Sequence, residues 1–337
     1  MNRAATRTAF LARAGHGGAA CVPLAQDASL RRYWRIGPPP ATLVLMDAPP
    51  PENVRPFLAV AAHLAALGLS VPRILAADAE AGLLLEEDFG DALFGTLLDA
   101  GDPQAPAMMY SAIAALARMQ DAPLPGANPD WQPAPWDTPA MLSATLDPLF
   151  TWWWPAMFGA PPPEAARTEI AAALAETLAP LAALPAVLVH RDFFAGNLVW
   201  LPERTGAARA GILDFQSAAP GHPAYDLVSL LEDARRDLDP ALTRDAHAAF
   251  LTARPGLDPT AFAAGYAACA AQRHLRVSCQ WTRLALRDGK PHYLAHGPLS
   301  WARLDRALAH PVAAPLARAL DRFVAASRRT NPPGLLA

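Results

Sequence analysis

The chain has 337 residues, of which 53% are hydrophobic and 18% are charged. This supply of apolar side chains is sufficient for a large core, which excludes intrinsic disorder as the main state. The net charge of −3 provides no overall positive charge to attract a polyanion, which argues against nucleic acid as the principal partner. The three cysteines are odd in number and lack C-x-x-C spacing, which favours a reducing, cytoplasmic location over a disulfide framework or a zinc site.

Two segments bear on membrane insertion and targeting. Residues 170–189 are apolar, but Glu176, Pro180 and Pro185 interrupt them, so we expect a buried helix followed by a strand. Residues 1–18 contain arginines and no acidic residue, as transit peptides do, although an amphipathic first helix is the preferred interpretation. The sequence thus predicts no membrane span, and it implies no stable protein partner.

The first part of the chain alternates short apolar runs with turns, which is typical of strands. The predicted strands cover residues 32–36, 42–46, 71–75 and 82–86. One helix with an apolar face is predicted over residues 56–67. Together these elements indicate a small β-rich lobe over residues 1–88.

The remainder of the chain is predicted to be mostly helical. Helical spacing of apolar residues occurs at 91–100, 105–120 and 164–184. An ordered loop is expected over 121–136, and a strand pair at 198–201 and 210–213. The sequence therefore predicts an α+β chain in which a large, mainly helical lobe over residues 89–337 follows the small one.

One segment after a predicted strand combines polar residues at a distinctive spacing: His190-Arg-Asp-Phe-Phe-Ala-Gly-Asn197. Seventeen residues after Asn197, Asp214 follows the apolar pair Ile212-Leu213, and the residues between form a predicted hairpin. Since the residue before the first strand of a hairpin neighbours the residue after the second, Asn197 and Asp214 should meet at its open end. We expect Asp192 to lie close to them.

This set of oxygen-bearing side chains suits a divalent metal and a phosphate group. Mg²⁺ prefers hard oxygen ligands and usually takes one or two carboxylates, here Asp214 together with the amide oxygen of Asn197. Asp192, left off the metal, would act as the base for an attacking hydroxyl. The spacing H-R-D-x-x-x-x-N followed by D-F is the phosphotransferase arrangement of protein kinases. His190 is interpreted as orienting this loop, and Asp226 as its buried support or as a helix N-terminal acid.

The catalytic segment resembles the aminoglycoside phosphotransferase and choline kinase branch of the kinase-like superfamily. Further segments resemble one subgroup, the anomeric kinases of cell-wall recycling that act on N-acetylmuramate and N-acetylglucosamine. They are Gln26-Asp-Ala-Ser-Leu-Arg-Arg-Tyr-Trp-Arg35, Val44-Leu-Met-Asp-Ala-Pro-Pro50, Leu83-Leu-Leu-Glu-Glu-Asp-Phe-Gly90, Gln272-Arg-His-Leu-Arg-Val277 and Arg287-Asp-Gly-Lys290. The resemblance implies a two-lobed, protein-kinase-like fold, with ATP and Mg²⁺ as nucleotide and metal.

The resemblance also implies roles for residues of the first lobe. Asp27, Ala28 and Ser29 would belong to the loop over the ATP phosphates, although this loop lacks the usual glycines. The backbone of the hinge, formed by Glu86, Glu87 and Asp88, would hold the adenine.

A departure from the kinase pattern concerns the phosphate-gripping lysine and its helix glutamate. Met46 stands at the lysine position, the predicted helix 56–67 contains no glutamate, and the chain's one lysine, Lys290, is far away in sequence. An arginine near the second strand would supply the missing cation. Arg31 and Arg35 share one strand face and Arg32 the other, and Arg32 is the preferred candidate.

The acceptor side is predicted from aromatic and basic residues. Tryptophan rings stack well on sugars, which makes Trp131, Trp136 and the run Trp152-Trp-Trp154 candidates for substrate contact, with Trp152 chosen among them. Core packing is nevertheless the more common role of tryptophan. A basic series spaced to suit one helical face would hold an acceptor carboxylate or would simply be solvated. Its members are Arg273, Arg276, Arg283, Arg287 and Lys290.

The sequence thus predicts an enzyme that transfers the ATP γ-phosphate to the anomeric hydroxyl of N-acetylmuramate or N-acetylglucosamine, giving a sugar 1-phosphate. One alternative is a kinase of another small hydroxylated molecule, such as an aminoglycoside, an amino alcohol or another sugar. A second alternative is a nucleotide-binding pseudokinase, suggested by the missing lysine and glutamate. The presence of Asp192, Asn197 and Asp214 argues against it, because a mere binder has no need of a base.

Overall fold

The computed structural model describes residues 2–24, 30–126 and 128–335. The chain divides into two compact units. The first unit contains residues 1–119, 125–133 and 196–218, and the second contains 120–124, 134–195 and 219–337. The sequence-predicted boundary at residues 88 and 89 lies inside the first unit; as a border between a nucleotide lobe and a substrate lobe it stays a prediction.

The strands are short and all of their pairings within sheets are antiparallel. In chain order they are β1 Cys21–Pro23, β2 Arg32–Ile36, β3 Leu43–Asp47, β4 Ile74–Asp78, β5 Leu83–Glu87, β6 Val187–Val189, β7 Leu198–Trp200, β8 Ala210–Ile212 and β9 Ala219–Gly221. The α-helices are α1 Arg3–Arg13, α2 Arg55–Ala66, α3 Phe94–Asp99, α4 Ala105–Asp121, α5 Thr138–Asp147, α6 Trp154–Phe158, α7 Glu164–Leu178, α8 Ala224–Leu231, α9 Pro240–Ala253, α10 Pro259–Asp288, α11 Gly297–Leu308 and α12 Ala314–Phe323.

The first unit is built on a five-stranded sheet with the order β1-β2-β3-β5-β4. Alternation along the strands places one set of apolar side chains on the face that packs with α1. This core contains Phe10, Leu11, Ile36, Leu45, Leu83 and Leu85. Buried Asp47 fixes α1 to the same face by accepting hydrogen bonds from Arg3 and Arg7. The predicted amphipathic first helix is thereby confirmed.

The predicted strands of this sheet are confirmed, with one displacement. β4 starts at Ile74, three residues later than expected, since Pro72 has no N–H to donate to a ladder. The turn from β4 to β5 requires glycine at position 82, where φ is +66° and a Cβ atom would lie 2.1 Å from the Ala48 carbonyl oxygen.

A hairpin from much later in the chain completes the first unit. β7 pairs with β8 in the register Leu198↔Ile212, as the sequence predicts. The Ile212 N–H donates to the Ser70 carbonyl at 2.7 Å. Just after β8, the Phe215 ring stacks on Phe57 of α2, with 4.5 Å between the ring centroids. The hairpin is therefore part of the same packed body as the sheet.

The second unit is mostly helical and is organised around the 30-residue helix α10. α10 packs against α5, α8 and α11 and buries most of its middle. β6 and β9 form a short pair, with Val187 opposite Gly221. The helix predicted over 164–184 ends earlier, at Leu178, and continues as a 3₁₀ turn that contains Pro180, since a proline ring interrupts the α-helical hydrogen bonds. Within the described ranges, no helix combines the length and the apolar character needed to cross a membrane.

Candidate active site

The loop with the predicted catalytic residues, in the second unit, follows β6 and is held by a buried carboxylate. Asp226, in the first turn of α8, accepts hydrogen bonds from the backbone N–H groups of His190 at 2.5 Å and Arg191 at 2.9 Å. Burial raises the pKa of Asp226, against the opposing effect of His190 and these two N–H donors. Arg191 adopts a left-handed φ of 76°, which is uncommon for a side chain other than glycine. Asp226 thus lies where a support for the loop is expected.

Asp192 follows directly in this loop and is partly exposed. Its backbone N–H donates to Nδ1 of the fully buried His190 at 3.2 Å, and its carbonyl accepts from the Phe194 N–H at 3.1 Å. The backbone of Asp192 is therefore fixed on both sides. The roles of Asp192 and His190 remain predictions.

Asn197 and Asp214 lie together at the open end of the hairpin in the first unit. The Leu213 N–H donates to the Asn197 carbonyl at 2.9 Å, which continues the ladder one step past the Leu198↔Ile212 pair. Asp214 has a left-handed φ of 58°, and its Oδ1 accepts from Gln216 Nε2 at 2.7 Å. The position of these two residues agrees with the hairpin argument. That Asp192 joins them stays a prediction.

The donor set of this hairpin end fits magnesium better than a transition metal. It provides one carboxylate and one amide oxygen, and Mg²⁺ is commonly held by one or two carboxylates together with phosphates and water. Nowhere in the described ranges do three or more His, Cys, Asp or Glu side chains gather as a metal-binding group. Mg²⁺ at such a site would take its remaining ligands from phosphate oxygens and water.

The predicted nucleotide-binding residues fall into two groups. Asp27, Ala28 and Ser29 lie outside the described residues. At the end of β5, Glu86 is buried, and its Oε2 finds no hydrogen-bond partner in the described part of the chain. Burial raises the pKa of Glu86 to about 8, although the charge of Arg31 opposes this.

The other two hinge residues form ion pairs. Glu87 pairs with Arg204 at 2.7 Å, and its backbone N–H donates to the Arg73 carbonyl, so this N–H is not available to a base. Burial alone would raise the pKa of Asp88, but hydrogen bonds from Arg35, the Gly90 N–H and Thr42 hold it below its usual value. Adenine binding by this hinge remains a prediction.

The candidate cations near β2 have different surroundings. Arg32 is exposed and lies opposite Asp47 in the register, on the sheet face that carries the α1 core. Arg35 binds Asp88 and Asp91. Arg31 is buried and pairs with Glu52 at 3.2 Å. The sequence did not predict a role for Glu52, because this residue precedes α2 by three positions and lies outside the predicted helix. The signal that could have indicated it is a glutamate just before a helix.

Only part of the predicted acceptor set gathers at one place in the second unit. Arg273 is buried, and its guanidinium lies 5.8 Å from the ring centre of Tyr225. Arg276 donates to the Tyr225 hydroxyl at 3.2 Å, and Trp136 packs edge-on against the same tyrosine. Arg191, which the sequence analysis did not single out, lies 4.1 Å from the centre of the Trp136 ring. These five side chains, Arg191, Arg273, Arg276, Trp136 and Tyr225, form what we call the arginine–aromatic cluster.

The remaining predicted acceptor residues lie in other surroundings. Arg283 faces Asp147 at 3.7 Å, and Arg287 pairs with its neighbour Asp288. Lys290 follows the end of α10, past the left-handed Gly289, and so leaves the helical face of the predicted basic series. Trp152 is partly exposed in the π-helical turn Pro148–Trp153. Trp131 is buried in the first unit.

Comparison with protein families identifies the chain. The family model described as the phosphotransferase enzyme family matches residues 20–263. The chain belongs to this family. It is a small-molecule kinase, and the predicted catalytic motif, from His190 through Asp214, falls inside the matched range.

Several curated relatives of this phosphotransferase cover most of its length. It is 38% identical to an N-acetylmuramate/N-acetylglucosamine kinase of Caulobacter vibrioides, over 97% of the chain and 98% of that relative. A kinase of the same name from Pseudomonas aeruginosa is 34% identical over 86% of the chain and 83% of that protein. A homoserine kinase of Pseudomonas aeruginosa is 40% identical, but over only 28% of the chain and 30% of that protein.

Solved structures show the fold of this phosphotransferase. A choline/ethanolamine kinase family protein from Mesorhizobium loti matches with a TM-score of 0.60 at 18% identity, over 95% of the chain and 99% of that protein. A thermostable mutant of an aminoglycoside phosphotransferase, in ternary complex with ADP and hygromycin B, matches with a TM-score of 0.59 at 17% identity, over 89% and 97%. The predicted α+β, protein-kinase-like fold and the family resemblance are confirmed.

Proposed function

We propose that this phosphotransferase transfers the γ-phosphate of ATP to the anomeric hydroxyl of N-acetylmuramate or N-acetylglucosamine, and that it serves peptidoglycan recycling in the cytoplasm. The observation that carries the proposal is the 38% identity, over 97% of the chain, to a relative named N-acetylmuramate/N-acetylglucosamine kinase. The acid–amide–acid motif of Asp192, Asn197 and Asp214 supports phosphoryl transfer.

Asp192 is the proposed base of the reaction. The anomeric oxygen forms a bond to the γ-phosphorus, the bond from that phosphorus to the bridging oxygen breaks, and ADP leaves with the electron pair. The proton of the hydroxyl passes to the Asp192 carboxylate. Because a hemiacetal hydroxyl is more acidic than an ordinary alcohol, the carboxylate mainly orients the hydroxyl and receives its proton late, and positioning supplies most of the rate.

Asn197 and Asp214 are the proposed holders of Mg²⁺. When bound, the ion supplies charge neutralisation for the phosphate groups. The backbone of the hairpin fixes both donors before any nucleotide arrives, because the Leu213 N–H bond ties one side of the hairpin end to the other.

The arginine–aromatic cluster is the proposed acceptor site of the second unit. Arg273 is buried, and its Nη1 has no hydrogen-bond partner among the residues described by the structure. A buried guanidinium N–H without a partner is costly, and a carboxylate would satisfy it. Trp136 and Tyr225 offer aromatic surface next to the arginines. These features suit a sugar that carries a lactyl carboxylate. Trp152 and Lys290 stay predictions for the same site.

Turnover with a panel of acceptors tests the proposal. ADP release should depend on N-acetylmuramate or N-acetylglucosamine and should exceed that with kanamycin, choline or L-homoserine. Phosphorus NMR should identify the product as the sugar 1-phosphate. The 1-deoxy analogue of N-acetylglucosamine is the matched control, since it lacks only the reacting hydroxyl and should not be phosphorylated. Phosphorylation of this analogue, or preference for one of the other acceptors, would contradict the proposal. ATP binding without acceptor-dependent ADP release from any compound would favour a nucleotide-binding pseudokinase.

A further inference from the structure

Arg31, the residue before β2, is a buried cation in the first unit, with only 7% of its surface exposed. The register pairs Tyr33 with Met46, the position at which kinases carry their phosphate-binding lysine. Arg31 hydrogen-bonds the Tyr33 side chain, as expected for residues two apart on one strand face. Arg31 therefore lies on the Met46 side of the sheet, whereas Arg32 belongs to the other side.

The guanidinium of Arg31 lies between two carboxylates. Its Nε donates to Glu52 Oε2 at 3.2 Å, while its Nη1 is 3.9 Å from Asp214 Oδ1. The contact with Glu52 is a charge-assisted hydrogen bond, whereas the distance to Asp214 is too long for a hydrogen bond. Glu52 thus fixes one edge of the guanidinium plane and turns another edge towards the carboxylate proposed to hold Mg²⁺. This is the geometry that a kinase obtains from its lysine and its helix glutamate.

We infer that Arg31 binds the phosphate groups of ATP and that Glu52 is its positioning residue, so that the pair replaces the missing lysine and glutamate. This inference rests on the proposed function, because it takes ATP as the nucleotide. The competing cations are less suited. Arg35 already makes hydrogen bonds to Asp88 and Asp91, and exposed Arg32 lies on the face of Asp47. A guanidinium bridges two phosphate oxygens where an ammonium acts as a point charge, which gives Arg31 a function that Met46 cannot perform.

Equilibrium binding of Mg·ATP and of adenosine, measured without any acceptor, tests the inference. Arg31→Met, which keeps an unbranched apolar stem but removes the guanidinium and its charge, should weaken ATP binding about ten- to a hundredfold and leave adenosine binding unchanged. Arg31→Lys should restore part of the loss. Arg13→Met is the matched control, because Arg13 pairs with Asp78 at the surface and has 62% of its side chain exposed. Unchanged ATP binding in Arg31→Met, or equal loss of ATP and adenosine, would overturn the inference.

Two further variants separate phosphate binding from simple structural support. If Arg31 only neutralised Glu52, the double variant Arg31→Met/Glu52→Gln would regain wild-type ATP binding; we expect it to stay as weak as Arg31→Met. Glu52→Gln alone should reduce kcat more than it raises the KM for ATP, because the cation remains but is less well oriented. A selective loss of ATP in Arg32→Met with none in Arg31→Met would assign the role to Arg32 instead. A wild-type protein that binds no ATP would refute the proposed function itself.

Discussion

At the scale of single residues, the carboxyl groups of this phosphotransferase divide by what surrounds them. Asp226 is fully buried and accepts hydrogen bonds from the backbone N–H groups of His190 and Arg191, so its oxygens support the loop structure. Asp192 is partly exposed, with its backbone held on both sides. Asp192 thus combines a fixed backbone with partial exposure, which is compatible with its predicted role as a proton acceptor.

Asp192→Asn should lower kcat by about two to four orders of magnitude, because an amide holds a hydroxyl but cannot take its proton. Equilibrium binding of ATP should survive, since the substitution preserves the shape of the side chain and removes only a carboxylate that is not a proposed ligand of Mg²⁺ or ATP. Steady-state kinetics alongside binding measurements make the distinction. Turnover close to that of the wild type would remove Asp192 from the mechanism.

Asp214→Ala should raise the Mg²⁺ concentration needed for half-maximal activity and lower the maximal rate. Asn197→Ala should do the same more weakly, because it removes a neutral oxygen donor in place of a charged one. Activity is titrated against Mg²⁺ at saturating ATP for both variants. Gln216→Ala is a useful comparison, as Gln216 donates to Asp214 without being a proposed ligand. An unchanged metal dependence in both ligand variants would contradict the assignment.

Glu86 should make the stability of the protein depend on pH. Its pKa is about 8 in the folded chain against 4.5 for an ordinary glutamate, so the folded state holds a proton that the unfolded state releases. Stability from this group is complete below the unfolded pKa and is lost as pH rises towards about 8. Glu86→Gln keeps the shape without the titration. The Tm of the variant should gain on that of the wild type as pH rises from about 4.5 to about 8, and the difference should stay constant above that. A Tm difference that does not change with pH would show that Glu86 titrates normally.

The sequence predicted the residues whose place depends on neighbours in the chain, and it missed those that depend on distant packing. Asn197 and Asp214 follow from hairpin geometry alone. Arg31 and Arg32 are adjacent in sequence and chemically alike, so the choice between them required knowing which face of the sheet α1 covers. Arg191 and Tyr225 belong to the same cluster because Tyr225 lies on α8 and Arg191 adopts a left-handed backbone conformation in its loop. The local sequence pattern indicates neither feature.

At the scale of elements, most helices and strands follow from apolar spacing, and their ends follow from prolines and caps. α10 begins at a capping residue, Asp258, whose Oδ1 accepts from the Ala261 N–H at 2.7 Å. The helix ends at Gly289, which adopts a left-handed φ of 65°. The start of β4 and the end of α7 differ from the sequence prediction, because Pro72 and Pro180 lie in the predicted elements and cannot donate a backbone hydrogen bond.

Asp258→Ala should destabilise the second unit by about 1 kcal/mol, because it leaves an N-terminal N–H of α10 without its side-chain acceptor. Asp258→Asn is the matched control, since asparagine caps equally well. Thermal unfolding of the three proteins provides the comparison. Equal loss in both variants would indicate that the charge, and not the capping oxygen, stabilises the helix.

At the scale of the whole molecule, the first unit is discontinuous in sequence. It takes its sheet from the N-terminal part of the chain and its hairpin from residues 196–218. Ser70 accepts a hydrogen bond from Ile212, and Glu87 pairs with Arg204, so the late segment is joined to the sheet by both backbone and side chains. A linear boundary at residue 88 therefore does not enclose this packed body.

The fragment 1–88 should not unfold cooperatively, because it lacks the partners that cover α2 and the end of β5. Circular dichroism during heating should show a broad, shallow change. A full-length protein treated in the same way is the control and should show a sharp transition. A sharp transition in the fragment would mean that the sheet and α1 suffice for a stable domain.

Phe57 cannot stack on Phe215 until Phe215 has been synthesised, much later in translation. The ribosome makes Phe215 about 100 residues after the end of the first long segment of this unit at residue 119. At ordinary elongation rates of about 5–20 residues per second, the nascent sheet waits roughly 5–20 s for its hairpin. During that interval Phe57 of α2 lacks the ring on which it stacks in the folded chain, so its apolar face is open to contact with a holding chaperone.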